Sequence, residues 1–155
     1  MRNTGLKLSS VMWVLSGVLL CTANTAHAID YVSVSDKSAI LYDANSTKAK
    51  KLYVISRYSP LEQVVSLKDW LKVRDSSGTM AWIERKSVSD KRYVVVTVPV
   101  ATVWKTPELN SQVVFQVSKN VAMESLGMNG SGWIKVHDPD GAIGYLRSIE
   151  VWGAE

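Results

Sequence analysis

Residues 69–83 read DWLKVRDSSGTMAWI, and residues 132–146 of the same chain read GWIKVHDPDGAIGYL. Both stretches run Trp, aliphatic, Lys, Val, a polar residue, Asp, two further residues and Gly, and both end on an aromatic followed by an aliphatic. Alternate side chains of a strand face opposite sides, so Trp70, Lys72 and Arg74 share one face while Leu71 and Val73 share the other. The second copy divides in the same way, with Trp133, Lys135 and His137 against Ile134 and Val136. The aliphatic positions are the expected core, which leaves the indoles expected to look outward among cations. The segments Asp75-Ser-Ser-Gly78 and Asp138-Pro-Asp-Gly141 read as turns, because Asp bonds nearby backbone, Pro presets one central angle and Gly accepts a positive φ.

The likeness extends well beyond the two quoted stretches. A shift of 62 positions places Tyr31 on Tyr93, Ala39 on Ala101, Tyr42 on Trp104, Tyr53 on Phe115 and Glu62 on Glu124. One extra residue moves the shift to 63, and Trp70 then meets Trp133, Gly78 meets Gly141 and Val88 meets Val151. This is a tandem duplication of a unit of about 60 residues; a solenoid needs three or more copies. The expected division is residues 29–89 and 90–155, with Ser89-Asp90-Lys91-Arg92 as a junction short enough that the units touch.

Val, Ile, Tyr and Trp cluster in runs of four to seven bounded by Asp, Asn, Ser, Pro and Gly, and no window sustains helical spacing. Strands are predicted near 31–34, 39–43, 51–56, 61–67, 70–74 and 79–83. In the second unit they fall near 93–98, 100–105, 112–117, 121–127, 133–137 and 142–146. The fold class is all-β, a pair of compact barrels. The weakly hydrophobic segment 44–50 is expected to be a mobile loop. The run YVVVTVPV at 93–100 reads either as a covered central strand or as an exposed edge.

Residues 1–28 read as a secretory leader: Arg2 and Lys7, an apolar run from Val11 to Cys21, and Ala26-His27-Ala28 as the cleavage site. The apolar run is well short of the roughly 20 residues that span a bilayer, so no stable membrane insertion is expected. A lipidation signal is absent too, because Val18, Leu19 and Leu20 precede Cys21, and lipoprotein processing wants a small residue just before the cysteine. The mature chain, beginning at Ile29, is expected in the periplasm or secreted. It has no cysteine, hence no disulfide, and rests on its core alone. Its 16 basic and 14 acidic side chains balance to +2, too weak a charge to argue for nucleic acid.

Catalytic signals are lacking. His137 is the sole imidazole after the leader and has no thiol to partner it. No G-x-S-x-G stretch occurs, Asp138 and Asp140 are explained by turn chemistry, and neither a calcium loop nor a zinc set is complete. The expectation is a protein that is not an enzyme and uses no cofactor or metal.

An early aromatic, a small polar loop, W-x-K-V-x-D-x-x-G, an aromatic–aliphatic pair and a closing turn resemble the bacterial SH3-like domain, and the chain resembles a tandem pair of them. It departs from many members in lacking Gly in RYSPL (57–61) and KNVAM (119–123). AILYDA (39–44) is also similar to the opening of eukaryotic SH3 domains. However, their closing proline and tyrosine correspond here to Glu84 and Ser87, and to Arg147 and Glu150, so binding of PxxP peptides does not carry over. The resemblance implies one groove per unit, formed by Tyr42, Trp70 and Trp82 in the first and by Trp104, Trp133 and Tyr145 in the second, with Lys72 and Lys135 beside them. Trp152 reads as a C-terminal plug. Two functions of different class follow. One is an exported, non-catalytic binding module that takes cell-wall peptidoglycan or an extended peptide in these aromatic and basic grooves. The other is a structural or assembly partner of another envelope protein, with the aromatics buried between the units or against that protein.

Overall fold

The computed structural model describes residues 29–154; the leader reading and the membrane reading of residues 1–28 lie outside the described residues. Among the described residues are fourteen strands: β1 Asp30–Val34, β2 Ser38–Tyr42, β3 Lys51–Ser56, β4 Pro60–Ser66, β5 Trp70–Arg74, β6 Met80–Glu84 and β7 Val88–Ser89, then β8 Tyr93–Val96, β9 Val100–Trp104, β10 Val113–Ser118, β11 Ala122–Asn129, β12 Trp133–His137, β13 Ile143–Arg147 and β14 Val151–Trp152. One 3-10 turn precedes the last strand of each set, at Arg85–Ser87 and Ser148–Glu150. Among the described residues no helix is long and apolar enough to cross a membrane.

The strands form two seven-stranded antiparallel sheets of identical topology, ordered β3-β2-β6-β5-β4-β1-β7 and β10-β9-β13-β12-β11-β8-β14. In each, one long strand serves two neighbours. Residues 60–63 of β4 pair with β1 while residues 62–66 pair with β5, with a register shift between Gln63 and Val65. The matching shift in β11 lies between Ser125 and Met128. Such a bulge bends the strand, which lets the sheet curl back over its own apolar face.

That face is aliphatic in both units. Leu41, Leu61, Leu71, Val73 and Ile83 fill the first core, and Val94, Val96, Val103, Ile134, Val136 and Leu146 fill the second, all at 1% exposure or less. The alternation read from the sequence therefore holds in β5 and β12: Leu71 and Val73, and Ile134 and Val136, point inward. The YVVVTVPV run contributes β8, which is bonded on both sides, to β11 and β14. It is a covered strand.

The extra residue of the second unit sits in one hairpin turn. In the first unit the Leu67 N–H donates to the Trp70 carbonyl across Lys68 and Asp69. In the second, Asn129 pairs with Trp133 across Gly130, Ser131 and Gly132. The Asp-Gly turns form as expected: Gly78 and Gly141 have φ of 87° and 95°, and their N–H groups donate to the carbonyls of Asp75 and Asp138. The 44–50 segment, expected to be mobile, is pinned at its neck, where the Asp43 N–H donates to the Lys50 carbonyl and the Lys50 N–H to Asp43 Oδ1.

The units meet through aromatics. The Tyr58 ring stacks on Tyr93 at 4.5 Å and 17°, and Trp152 meets Tyr31 edge-on at 5.1 Å. Trp152 is thus a seam residue, where the sequence suggested a plug at the chain end. Arg92 lies 5.3 Å over the Tyr31 ring. Gly153 closes the contact: its φ is +92°, and any side chain there would bring a Cβ to 2.9 Å from Pro60 Cβ and 3.0 Å from the Tyr93 carbonyl oxygen, too close without a shift of one of them. Tyr58 holds a left-handed φ of 68°, and its counterpart Asn120 one of 67°. Asn tolerates that conformation; a Tyr there costs about 1–2 kcal/mol. An aromatic pair contributes about 0.5–1.5 kcal/mol beyond its area, enough to offset most of the strain.

This packing is open to two tests. Val73→Ala and Val136→Ala should each lower stability by about 1–3 kcal/mol through lost core contacts; unchanged denaturant midpoints would contradict the inward assignment. The second test concerns Asp75. Burial alone would raise its carboxyl, but hydrogen bonds from Ser77, from the Tyr53 hydroxyl at 2.6 Å and from the Thr79 N–H outweigh it and hold the group below its ordinary 3.8. A depressed carboxylate stabilises the fold above the unfolded value, and that contribution is lost as pH falls through the folded one. Asp75→Asn should therefore flatten the loss of stability below pH 3.8, read from urea midpoints across the acid range; an equally steep loss would show that the carboxylate is not held.

Candidate functional site

On the outer face of the first barrel, Tyr42 stands opposite Trp82, and Trp82 opposite Lys72, so three expected residues form one row across β2, β6 and β5. Trp70, two residues along β5, stands opposite Glu84, and its ring meets Tyr42 edge-on at 5.5 Å and 82°. The second barrel repeats the row with Trp104 opposite Tyr145 and Tyr145 opposite Lys135, while Trp133 stands opposite Arg147.

Each of the two tryptophans lines a cleft. The first cleft, about 450 Å³, is bounded by Lys68, Asp69, Trp70, Glu84, Arg85 and Lys86. The second, about 490 Å³, is bounded by Ser131, Gly132, Trp133, Arg147, Ser148 and Ile149, with Glu108 and Leu109 as a further wall. The six positions of the first cleft, displaced by 63 residues, are the first six named for the second. The clefts are therefore equivalent places on two copies of one fold, between the β4–β5 or β11–β12 turn and the following 3-10 turn.

The outer face is less open than the sequence suggested. Tyr42 is 5% exposed and Trp133 8%; Trp70, Trp82, Trp104, Tyr145 and Lys72 are half-buried, and Lys135 is exposed. Tyr42 is closed off by aromatic neighbours on its own face, Trp70 among them. Trp133 loses exposure at a cleft whose wall includes the 108–109 loop, a wall that the first cleft lacks. Both indoles remain at clefts, and neither is at the seam. Of the eight expected residues, Trp70 and Trp133 line these clefts, while Tyr42, Lys72, Trp82, Trp104, Lys135 and Tyr145 form the rows beside them.

Sequence reasoning missed the residues opposite the indoles. Arg85 ties the first cleft to its hairpin turn: Nη2 donates to Ser66 Oγ and, at 2.9 Å, to the Leu67 carbonyl, and Nε donates to the Lys68 carbonyl at 3.2 Å. Lys86 Nζ lies 2.9 Å from Glu84 Oε1, and that hydrogen bond raises the lysine above its ordinary range. The three-residue 3-10 turn carries no periodic signal, so its cleft-facing side chains were invisible to a reading of strands.

A smaller cleft of about 230 Å³ lies at the seam, between Tyr58, Lys91, Tyr93, Glu124, His137 and their neighbours. Lys91 Nζ and His137 Nδ1 approach Glu124 Oε2 at 2.9 Å and 3.4 Å. The Lys91 hydrogen bond holds the Glu124 carboxyl below its ordinary range against the opposing effect of burial, and His137 adds to it. Among the described residues no group of three or more His, Cys, Asp or Glu side chains is placed to hold a metal ion.

The model of the family described as "Bacterial SH3 domain" matches residues 35–90 and again residues 97–153. The chain belongs to that family, as a tandem pair. Among solved structures it is similar to NlpC2 from Trichomonas vaginalis (15% identity over 80% of this chain and 48% of that one, TM-score 0.38). It is similar also to NlpC1 from the same organism (16%, 84% and 48%, TM-score 0.38). A third is an NlpC/P60 family protein from Bacillus cereus (15%, 79% and 55%, TM-score 0.36). The chain spans about half the length of these structures. No curated protein matches the sequence.

Proposed function

We propose that this protein is an exported, non-catalytic binding module of the cell envelope that takes peptidoglycan or an extended peptide in its two tryptophan clefts. The observation that carries this reading is the repetition of the cleft itself: the same fold position, with a tryptophan in both copies and a tandem family match around it. The half-buried Trp70 offers part of a flat apolar face to a sugar ring or a peptide side chain, and Trp133, 8% exposed, offers the ring edge that borders its cleft. Lysines and arginines near both clefts suit the carboxylates of cell-wall stem peptides. Two weak sites on one chain gain affinity by effective concentration when the ligand itself repeats, as a wall polymer does. The units are fixed to each other through the Tyr58–Tyr93 and Tyr31–Trp152 contacts, which limits the freedom lost on engaging both sites.

The assembly-partner reading draws on the same seam. Aromatics do pack between the units, but they are Tyr31, Tyr58, Tyr93 and Trp152, a set separate from the groove residues. That separation favours recognition at the clefts.

The test is a titration of the purified protein with soluble peptidoglycan fragments, followed by tryptophan fluorescence. Trp70→Ala and Trp133→Ala should each weaken binding, and the double variant should weaken it by more than either. Binding that all three variants leave unaltered would overturn the assignment of the clefts.

A further inference from the structure

The duplication provides an internal control, because the first repeat shows what the fold itself needs at each position. Measured against it, the second cleft has changed its chemistry. Where the first has Lys68, Asp69, Glu84, Arg85 and Lys86, the second has Ser131, Gly132, Arg147, Ser148 and Ile149, and only the tryptophan is kept. Leu109 joins the wall where the first repeat has Thr47. The volumes, about 450 and 490 Å³, are nearly the same. The two clefts thus differ in character more than in size.

Three features of the second cleft have no internal explanation. Ile149 and Leu109 stand 71% and 58% exposed although the first repeat folds with Lys86 and Thr47 in their places. Arg147 is half-buried and, among the described residues, its side chain has no hydrogen bond or ion pair, whereas its counterpart Glu84 is matched by Lys86 at 2.9 Å. The first cleft, by contrast, engages three of its five charged side chains, Arg85 on the hairpin carbonyls and Lys86 on Glu84, and Glu84, the residue matching Arg147, is one of them. Exposed aliphatic side chains gain by being covered. A guanidinium without a partner matches the fork geometry of a carboxylate. Glu108, the other charge on this wall, disfavours a second anionic group, so the ligand carries its negative charge at one point.

We infer that the second cleft holds the carboxyl end of an extended peptide whose last side chain is aliphatic, with Arg147 on the carboxylate and with Leu109, Ile149 and Trp133 against the side chain. The inference rests on the peptide-or-peptidoglycan reading of the clefts and narrows it: the two repeats divide the work, and the second recognises a chain end.

The experiment uses the purified protein and acetylated tripeptides ending in alanine or leucine, each prepared as the free acid and as the C-terminal amide. The free acid should bind about 10-fold tighter than the amide, in keeping with a charge-assisted hydrogen bond. Arg147→Gln should abolish that difference, and Ile149→Lys and Leu109→Thr, which restore the residues of the first repeat, should weaken the free acid several-fold. Thermal melts of the three variants verify that the fold is retained. Equal binding of acid and amide overturns the inference, as does a preference for the acid that Trp70→Ala removes and Trp133→Ala leaves intact. If peptidoglycan fragments bind through the tryptophans while neither peptide form binds, the chain-end assignment alone fails; if fragments and peptides all fail to bind, the binding-module reading fails with it.

Discussion

Leu71 and Val73 in one barrel, and Ile134 and Val136 in the other, are shut away from solvent, and on a strand that burial settles where every neighbour goes. Side chains alternate, so Trp70 and Lys72, and Trp133 and Lys135, are carried to the opposite face together. A slip of one residue in either strand would reverse the partition and place a lysine in a small aliphatic core, at a cost that a unit of about 60 residues has little margin to absorb. The clefts are the outward consequence of this inward demand: each lies where the outward indole sits between a hairpin turn and a 3-10 turn.

What the two repeats share is therefore the part that folding requires, and what they do not share shows where the chain has been put to other uses. Tyr58 is one such departure. Its backbone matches that of Asn120, a left-handed residue in the same turn, yet the ring is one that strains the position and stacks on Tyr93 of the neighbouring unit. The second cleft is another, with Arg147, Ile149 and Leu109 standing where the first repeat has Glu84, Lys86 and Thr47. The unrepeated tyrosine fastens the units together, and the unrepeated cleft wall sets them apart in chemistry.

Much of this architecture was legible in the sequence because a two-residue period is a local signal. The β5 and β12 strands fall at 70–74 and 133–137 as expected, and the doubled Asp-Gly turns place their glycines at positive φ. The closing 3-10 turns and the two-residue strands after them are too short to carry a period. Exposure was less legible than direction. Trp133 lies on the strand face opposite Ile134, but it is 8% exposed, and the cleft beside it is walled by residues 108 and 109, far back along the chain. The seam was hidden for the same reason, although the mismatch of Tyr58 with Asn120 was a visible sign that this turn serves something beyond its own barrel.

The central claim is that recognition occurs at the outward indoles and not at the seam. Its most direct test is amide and indole NMR of the labelled protein during addition of soluble peptidoglycan fragments. Recognition at the clefts should move the Trp70 and Trp133 indole N–H signals together with the backbone amides of 84–86 and 147–149, while Tyr58, Tyr93 and Trp152 stay in place. Shifts confined to the seam residues, with both clefts silent, would contradict it.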